Sequence, residues 1–259
     1  MFLTDIDGTL LRGKMDIPAR VVDAAVAFTD AGGLLGLCTG RAAVSTAEIA
    51  EIMPVNIPCI LYNGSGIYDF KKKEFVKTKC FDNGIIDAIR HAYEDFPKVS
   101  ISVHTMDGIF LIRTNEIFNA KSIRKELRDK ECLIGDIKGD VLKIVFASED
   151  VESLSKCGKE CFSNYKFAFA SRHFAEAVSP ESGKGTGLLD IAEICDVPAE
   201  RFFFAGDAMT DLPAIELAGF SFAPSDAAKA LLDVCTMTVP PCEEGGMELA
   251  FHKALSLIS

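Results

Sequence analysis

The sequence predicts an α/β protein: a Rossmann-like core on a parallel sheet, interrupted by an inserted α+β domain. Three observations support this. Short apolar runs alternate with helical patterns near the amino terminus, the same alternation returns after Pro180, and the stretch between carries period-two strands instead. The core is expected over 1–81 and 179–259, and the insert over 82–178.

Phe2-Leu3-Thr4 is the first apolar run. Pro18 to Ala31 reads as a helix, with Val21, Val22, Ala25 and Phe28 on one face, Pro near its start and Gly32 just past its end. Leu34 to Cys38 is a second strand, stopping at Thr39-Gly40-Arg41. A helix through Val44–Met53 leads to a third strand, Cys59 to Tyr62, which stops at Asn63-Gly64. Strand, helix, strand, helix, strand is the pattern of a parallel sheet buried on both faces.

In the insert, Ser100–His104, Ile109–Arg113, Val141–Ala147 and Phe167–Ala170 read as strands, separated by helical patterns at Gly84–Tyr93, Ile117–Asp129 and Val151–Cys161. The alternation implies an antiparallel sheet exposed on one face. The core then resumes with a helix at Gly185–Cys195, a strand at Arg201–Ala205, and short strands near Phe220–Ala223 and Thr236–Val239.

Composition limits the partners. Against 38 Asp plus Glu there are 27 Lys plus Arg, a net charge of −11 over 259 residues. An acidic surface repels a phosphate backbone, so neither nucleic acid nor an anionic membrane is expected as a partner. The nine cysteines are odd in number and show no disulfide spacing; Cys38, Cys59 and Cys195 lie in apolar runs and read as core residues of a reducing compartment. Cys157 and Cys161 lie four apart on a helix, but a zinc site needs two further ligands, and His91, His104, His173 and His252 are scattered. The amino terminus lacks a basic segment followed by an apolar stretch, and no run reaches the ~18–20 apolar residues of a spanning helix. A cytoplasmic protein, monomeric or a weak homo-oligomer, is expected.

The residues with chemical potential fall at strand ends. Asp5 and Asp7 sit two apart after Thr4; period two puts both on one face, and Gly8 permits a sharp turn. Ligands of open parallel sheets bind at the carboxyl ends of the strands. Two carboxylates there, ~4 Å apart at an effective dielectric of ~20, repel by ~4 kcal/mol, so a proton or a cation must intervene. Asp-X-Asp-Gly is also ordinary turn chemistry.

Thr39-Gly40 closes a strand ahead of a helix, where a hydroxyl and backbone N–H groups can face an anion. Lys184 begins a helix in Gly183-Lys184-Gly185-Thr186, although most lysines are solvated surface residues. A nucleotide P-loop is excluded there, because Gly185 follows the lysine and Val178 stands where that motif needs glycine. Gly206-Asp207-Ala208-Met209-Thr210-Asp211 places two acids after the run Phe202–Ala205. They could hold Mg²⁺, or Asp211 could cap the helix that follows.

The ordered set Asp5-Ile6-Asp7-Gly8-Thr9, Thr39-Gly40-Arg41, Lys184 and Gly206-Asp207 through Asp211 resembles the four motifs of the haloacid dehalogenase superfamily, over essentially the whole chain. Tyr62-Asn63-Gly64 and Glu244-Gly245-Gly246 resemble features of its Cof-type members. The insert position, between Thr39 and Lys184, resembles a type IIB cap. Asp7 sets the chain apart from the dehalogenases, which lack this second acid.

The resemblance implies Mg²⁺-dependent hydrolysis of small phosphorylated metabolites, sugar phosphates foremost, through an aspartyl phosphate. Asp5 is implied as nucleophile and Asp7 as acid/base. Mg²⁺ is implied on Asp5, Asp207 and the backbone carbonyl of Asp7. Thr39, the Gly40 amide and Lys184 are implied to hold phosphate oxygens, with Asp211 orienting the metal site. A phosphosugar mutase using the same intermediate and a non-catalytic phosphosugar-binding regulator are the alternatives. Thr210 stands where the family usually has Asn, and Ser225-Asp226 where it usually shows Gly-Asn. Arg172 and His173 are expected in a cap turn, either meeting substrate or as plain surface residues. Hinges are expected near Lys79–Asp82 and Val178–Glu181.

Overall fold

The computed structural model describes residues 1–13, 16–121 and 131–258. They form two compact units, Met1–Thr78 with Gly183–Ser259, and Lys79–Ser182. In chain order the first unit begins with β1 (Phe2–Thr4), α1 (Ala19–Asp30), β2 (Leu35–Leu37), α2 (Ala43–Ile52), β3 (Cys59–Leu61), β4 (Gly66–Asp69) and β5 (Glu74–Thr78). The second unit holds α3 (Ile85–Asp95), β6 (Ser100–Thr105), β7 (Ile109–Arg113), α4 (Glu116–Lys121), β8 (Val141–Ala147), α5 (Val151–Cys161), β9 (Lys166–Ser171) and β10 (Phe174–Val178). The chain returns to the first unit with α6 (Lys184–Cys195), β11 (Phe203–Ala205), α7 (Leu212–Leu217), β12 (Phe220–Pro224), α8 (Lys229–Leu232), β13 (Met237–Val239) and α9 (Gly246–Ile258).

The first unit is built on a parallel sheet in the order β13-β12-β11-β1-β2, with β1 at its interior. Strand β3 adjoins β2 through a parallel bridge between Cys38 and Ile60, and continues into an antiparallel β3-β4-β5 sheet. Successive side chains of β1 point to opposite faces, and both faces are covered. Phe2 meets Phe28 of α1, Phe222 of β12 and Phe251 of α9, with ring centroids 4.7–5.9 Å apart. Leu3 faces the other way, into a core with Leu188 and Ile191 of α6 and Phe204. Burying a side chain of this size contributes about 2–3 kcal/mol, which lets a three-residue strand hold the centre of the sheet.

Helix α1 follows Pro18 and buries Val21, Ala24, Ala25 and Phe28. Its buried stripe thus includes Ala24, whereas Val22, expected on that face, is only half-buried. The β4–β5 hairpin and α9 are additions to the expected core elements.

The second unit carries one antiparallel sheet, β7-β6-β8-β10-β9. Ile101 and Val103 of β6, Ile144 and Phe146 of β8, and Ala175 and Ala177 of β10 share one face, packed against Ile85 and Ile89 of α3 and Leu154 of α5. The alternate positions are mixed, with Ser102, His104, Lys143 and Glu176 beside Val145 and Ala147. They are less open than the expected exposed face: the Lys143 side chain is only 6% exposed and pairs with Glu176 at 2.6 Å. Of the helix expected over Ile117–Asp129, α4 covers the beginning, and 122–130 lie outside the described residues. Among the described residues no helix is long and apolar enough to cross a membrane.

Candidate active site

Three neighbouring strand ends converge. β1 leads into Asp5, β2 into Thr39 and β11 into Asp207, and the parallel pairing aligns all three carboxyl ends. The chain reverses just after Asp5: Leu10 and Leu11 donate to the Ile6 carbonyl, and Gly8 donates to the Leu11 carbonyl at 2.7 Å. The turn sets where Asp7 stands. β1 stops at Thr4, so the period-two rule does not extend to Asp7. Asp5 is buried, while the Asp7 side chain is 55% exposed and bound bidentately by Arg41, Nη2 to Oδ1 at 2.6 Å and Nε to Oδ2 at 2.8 Å. Arg41 is itself tied in, its N–H donating to Thr39 Oγ1 at 3.2 Å.

Asp5, Asp207 and Asp211 crowd together, with carboxylate oxygens within 4.8 Å of one another. Lys184, the first residue of α6, is buried among them, with Nζ 2.8 Å from Asp5 Oδ1 and 2.6 Å from Asp211 Oδ1. The surface-lysine reading is therefore wrong for Lys184. Asp211 precedes α7, but its second oxygen accepts from the N–H groups of Asp207 and Ala208, at 3.3 and 3.0 Å. It shapes the loop behind it and anchors Lys184 rather than capping the helix ahead. Asp207 Oδ1 accepts from Thr9 Oγ1 at 3.1 Å.

Three carboxylates around one ammonium leave an excess of negative charge. Burial pushes the Asp5 carboxyl well above its ordinary value; Asp211 and Asp207 add to this, and Lys184 opposes it. Burial likewise raises Asp207, helped by Asp211. For Lys184, burial alone acts to lower the value, but Asp211 and Asp5 outweigh it and hold the ammonium well above the usual lysine range. An anionic, oxygen-only donor set with uncompensated charge suits a hard divalent cation. Asp5 and Asp207 are the natural donors, since both oxygens of Asp211 already accept hydrogen bonds.

Two glycines permit this packing. Gly8 holds φ +92°, and a Cβ on it would overlap Asp207 Oδ2. Gly64 holds φ +89°, and a Cβ there would overlap the carbonyl of Gly183, next to Lys184. The Asn63-Gly64 turn thus bears directly on the start of α6. Asn63 also donates its N–H to the Thr39 carbonyl at 3.1 Å, and its side chain lies against Gly40.

Thr39 is 1% exposed. Of the two departures from the family pattern, Thr210 is exposed, and Asp226 makes a 2.6 Å ion pair with Arg12, which also reaches Glu243 at 2.9 Å. Arg172 and His173 do occupy the β9–β10 turn, where the His173 ring is held 3.1 Å from the Ser148 carbonyl. Thr9, Arg41 and Asn63 join the site without having been assigned parts in it. All three lie inside quoted motifs, so adjacency was the available signal.

The family model of haloacid dehalogenase-like hydrolases matches residues 2–251. The chain belongs to this family. Among curated relatives of the hydrolase, the 5-amino-6-(5-phospho-D-ribitylamino)uracil phosphatase YwtE of Bacillus subtilis (strain 168) is 25% identical, with 97% of this chain and 96% of that protein covered. A second phosphatase of the same name, YitU of the same organism, is 23% identical over 98% of this chain and 96% of its own length. A solved haloacid dehalogenase-like hydrolase from Bacteroides thetaiotaomicron superposes with a TM-score of 0.84 at 21% identity, covering 97% of this chain and 98% of its own. A solved sugar phosphatase of subclass IIB superposes at 0.80 and 17% identity, covering 98% of both chains. These two structures share the hydrolase's fold.

Proposed function

We propose that this hydrolase releases phosphate from small phosphate monoesters, sugar phosphates foremost, with Asp5 as nucleophile. The observation that carries this reading is Asp5 itself: a buried carboxylate at the end of β1, held 2.8 Å from Lys184 inside an acidic cluster. The Bacillus subtilis relatives, named as phosphatases of a phosphoribityl compound, support a small phosphorylated substrate.

In the proposed reaction a carboxylate oxygen of Asp5 attacks phosphorus, and the bond from phosphorus to the ester oxygen breaks. Asp7, as the acid, gives its proton to the departing alkoxide; as carboxylate it then takes a proton from the water that attacks the aspartyl phosphate. That second attack frees inorganic phosphate and restores Asp5. Both Asp7 oxygens accept from Arg41, which fixes the orientation of the carboxyl group. Thr39 Oγ1, the Gly40 amide and the Lys184 ammonium are assigned to the equatorial phosphate oxygens. Asp5, Asp207 and the main-chain carbonyl of Asp7 are assigned to Mg²⁺, which when bound offsets the negative charge that otherwise repels a phosphate dianion. Asp211 orients Lys184 and the Asp207 loop. The inserted unit is assigned the choice among esters.

The test is phosphate release from a panel of phosphate esters, with Mg²⁺ or with chelator. Metal-dependent release supports the reading. Isomerised sugar phosphate without release would replace it with a mutase, and binding without turnover would replace it with a regulator.

A further inference from the structure

The first unit holds a cavity of about 580 Å³, formed by α2 and the β4–β5 hairpin. Its volume is that of a small-molecule site. α2 lines it with Ala43, Ala47 and Ala50, spaced along one helical stripe so that three methyl groups leave the space open. The hairpin supplies Tyr68 and Phe70, whose rings meet edge-on with centroids 5.0 Å apart. The hairpin side also carries Lys71 and Lys73, both exposed and neither in an ion pair among the described residues. Two ammonium groups thus stand beside the aromatic wall, on a chain of net charge −11. Asp69 is turned to the hairpin tip, its Oδ1 accepting from the backbone N–H groups of Lys71 and Lys72 and its Oδ2 4.0 Å from the Lys72 ammonium, so its charge is met by Lys72. Glu51 stands on the α2 side, which directs an anionic ligand end toward the hairpin.

The cavity wall connects to the loop after β2. Tyr68 packs edge-on against Phe75 at 5.0 Å, and Phe75 lies 6.1 Å from Tyr62. The Tyr62 hydroxyl accepts from the N–H of Ala43, itself a lining residue, at 3.2 Å. The Tyr62 N–H donates to the Arg41 carbonyl, and the Asn63 N–H to the Thr39 carbonyl, both at 3.1 Å. Tyr62 and Asn63 hold φ of +52° and +57°, a left-handed conformation that asparagine tolerates but that is uncommon for a bulky residue such as tyrosine.

We propose that this cavity is an effector site for a small amphipathic anion, an apolar ring or chain bearing a carboxylate, sulfonate or phosphate. The apolar body lies between α2 and Tyr68–Phe70, and the anionic end meets Lys71 and Lys73. Occupancy acts on the loop carrying Thr39, Gly40 and Arg41 through Tyr62 and Ala43. Its effect on turnover rests on the phosphatase reading; its binding does not.

The probe is anilinonaphthalene sulfonate, an aromatic anion of this class, titrated into the full chain while backbone amide resonances are followed. Saturable shifts at Ala47, Tyr68 and Phe70 are expected, extending to Tyr62 and Thr39. The double variant Lys71→Glu, Lys73→Glu should bind about tenfold more weakly, with basal phosphate release unchanged. Ala47→Trp should abolish binding by filling the space. Shifts elsewhere, or binding equal in the charge-reversed variant, overturn the site. Shifts confined to the cavity, with Thr39 and the turnover of saturated enzyme unmoved, overturn the coupling.

Discussion

Asp7 and Arg41 form a two-point contact across the site, with guanidinium nitrogens 2.6 and 2.8 Å from the two carboxylate oxygens. Arg41 also bonds through its N–H to Thr39, so one residue links the proposed acid/base to the proposed phosphate loop. Removing it should leave Asp7 unsteered. Arg41→Ala is expected to lower kcat about tenfold, a part of the ~10²–10⁴-fold that general acid–base catalysis supplies. Arg41→Lys should recover only part of this, because an ammonium cannot reproduce the fork. Steady-state kinetics checks both, and an unchanged kcat in Arg41→Ala would remove Arg41 from the mechanism.

Lys184 compensates two buried carboxylates at once. Lys184→Met leaves Asp5 and Asp211 without their cation, a change that costs about 3–5 kcal/mol when one partner of a buried pair is lost. Urea unfolding midpoints of the metal-free protein measure it. A loss under about 1 kcal/mol would mean that the acids relax by taking up protons.

The acidic cluster should bind Mg²⁺ and be stabilised by it. Thermal unfolding of the wild type is expected to shift upward with added Mg²⁺, following mass action. Asp207→Asn should need about tenfold more metal for the same shift. Equal responses would place the cation elsewhere.

His104 gives a pH dependence separate from the site. Burial, with a smaller contribution from Lys143, pushes its imidazole down to about 3. The folded value lies below the unfolded ~6.5, so the unfolded chain binds the extra proton. Stability from this group is complete above pH ~6.5 and is lost as pH falls toward 3. Between pH 6.5 and 5 the loss is about 1.6 kcal/mol. Urea midpoints of wild type and His104→Gln at these two pH values should differ by that amount, with the variant flatter. Parallel profiles would contradict it.

Much of the fold was legible because the signals were local. Ile109–Arg113, Val141–Ala147 and Val151–Cys161 carry clean periods of two or 3.6, and the elements begin and end where those periods do. β10 escaped because Phe174-Ala175-Glu176-Ala177-Val178 sits in the sheet with two alanines, which carry little strand preference. The hairpin Gly66–Thr78 escaped because its strands flank a lysine-rich tip that reads as loop. The candidate residues were legible as motifs, but not their pairing. Asp7 meets Arg41 across 34 positions, and Lys184 meets Asp211 across 27. Such contacts are created by strand order and by the turn at Ile6–Leu11, which no local period encodes.

In the proposed reaction Asp5 becomes phosphorylated. The most direct test is acid quenching of the enzyme during turnover of an ester identified by the panel, followed by mass spectrometry of the peptide containing Asp5 and Asp7. The expected result is one phosphoryl group on Asp5, absent from Asp5→Asn, which should also lose turnover while keeping its fold by circular dichroism. A phosphoryl group on another residue, or an Asp5→Asn protein that still turns over, would contradict the mechanism.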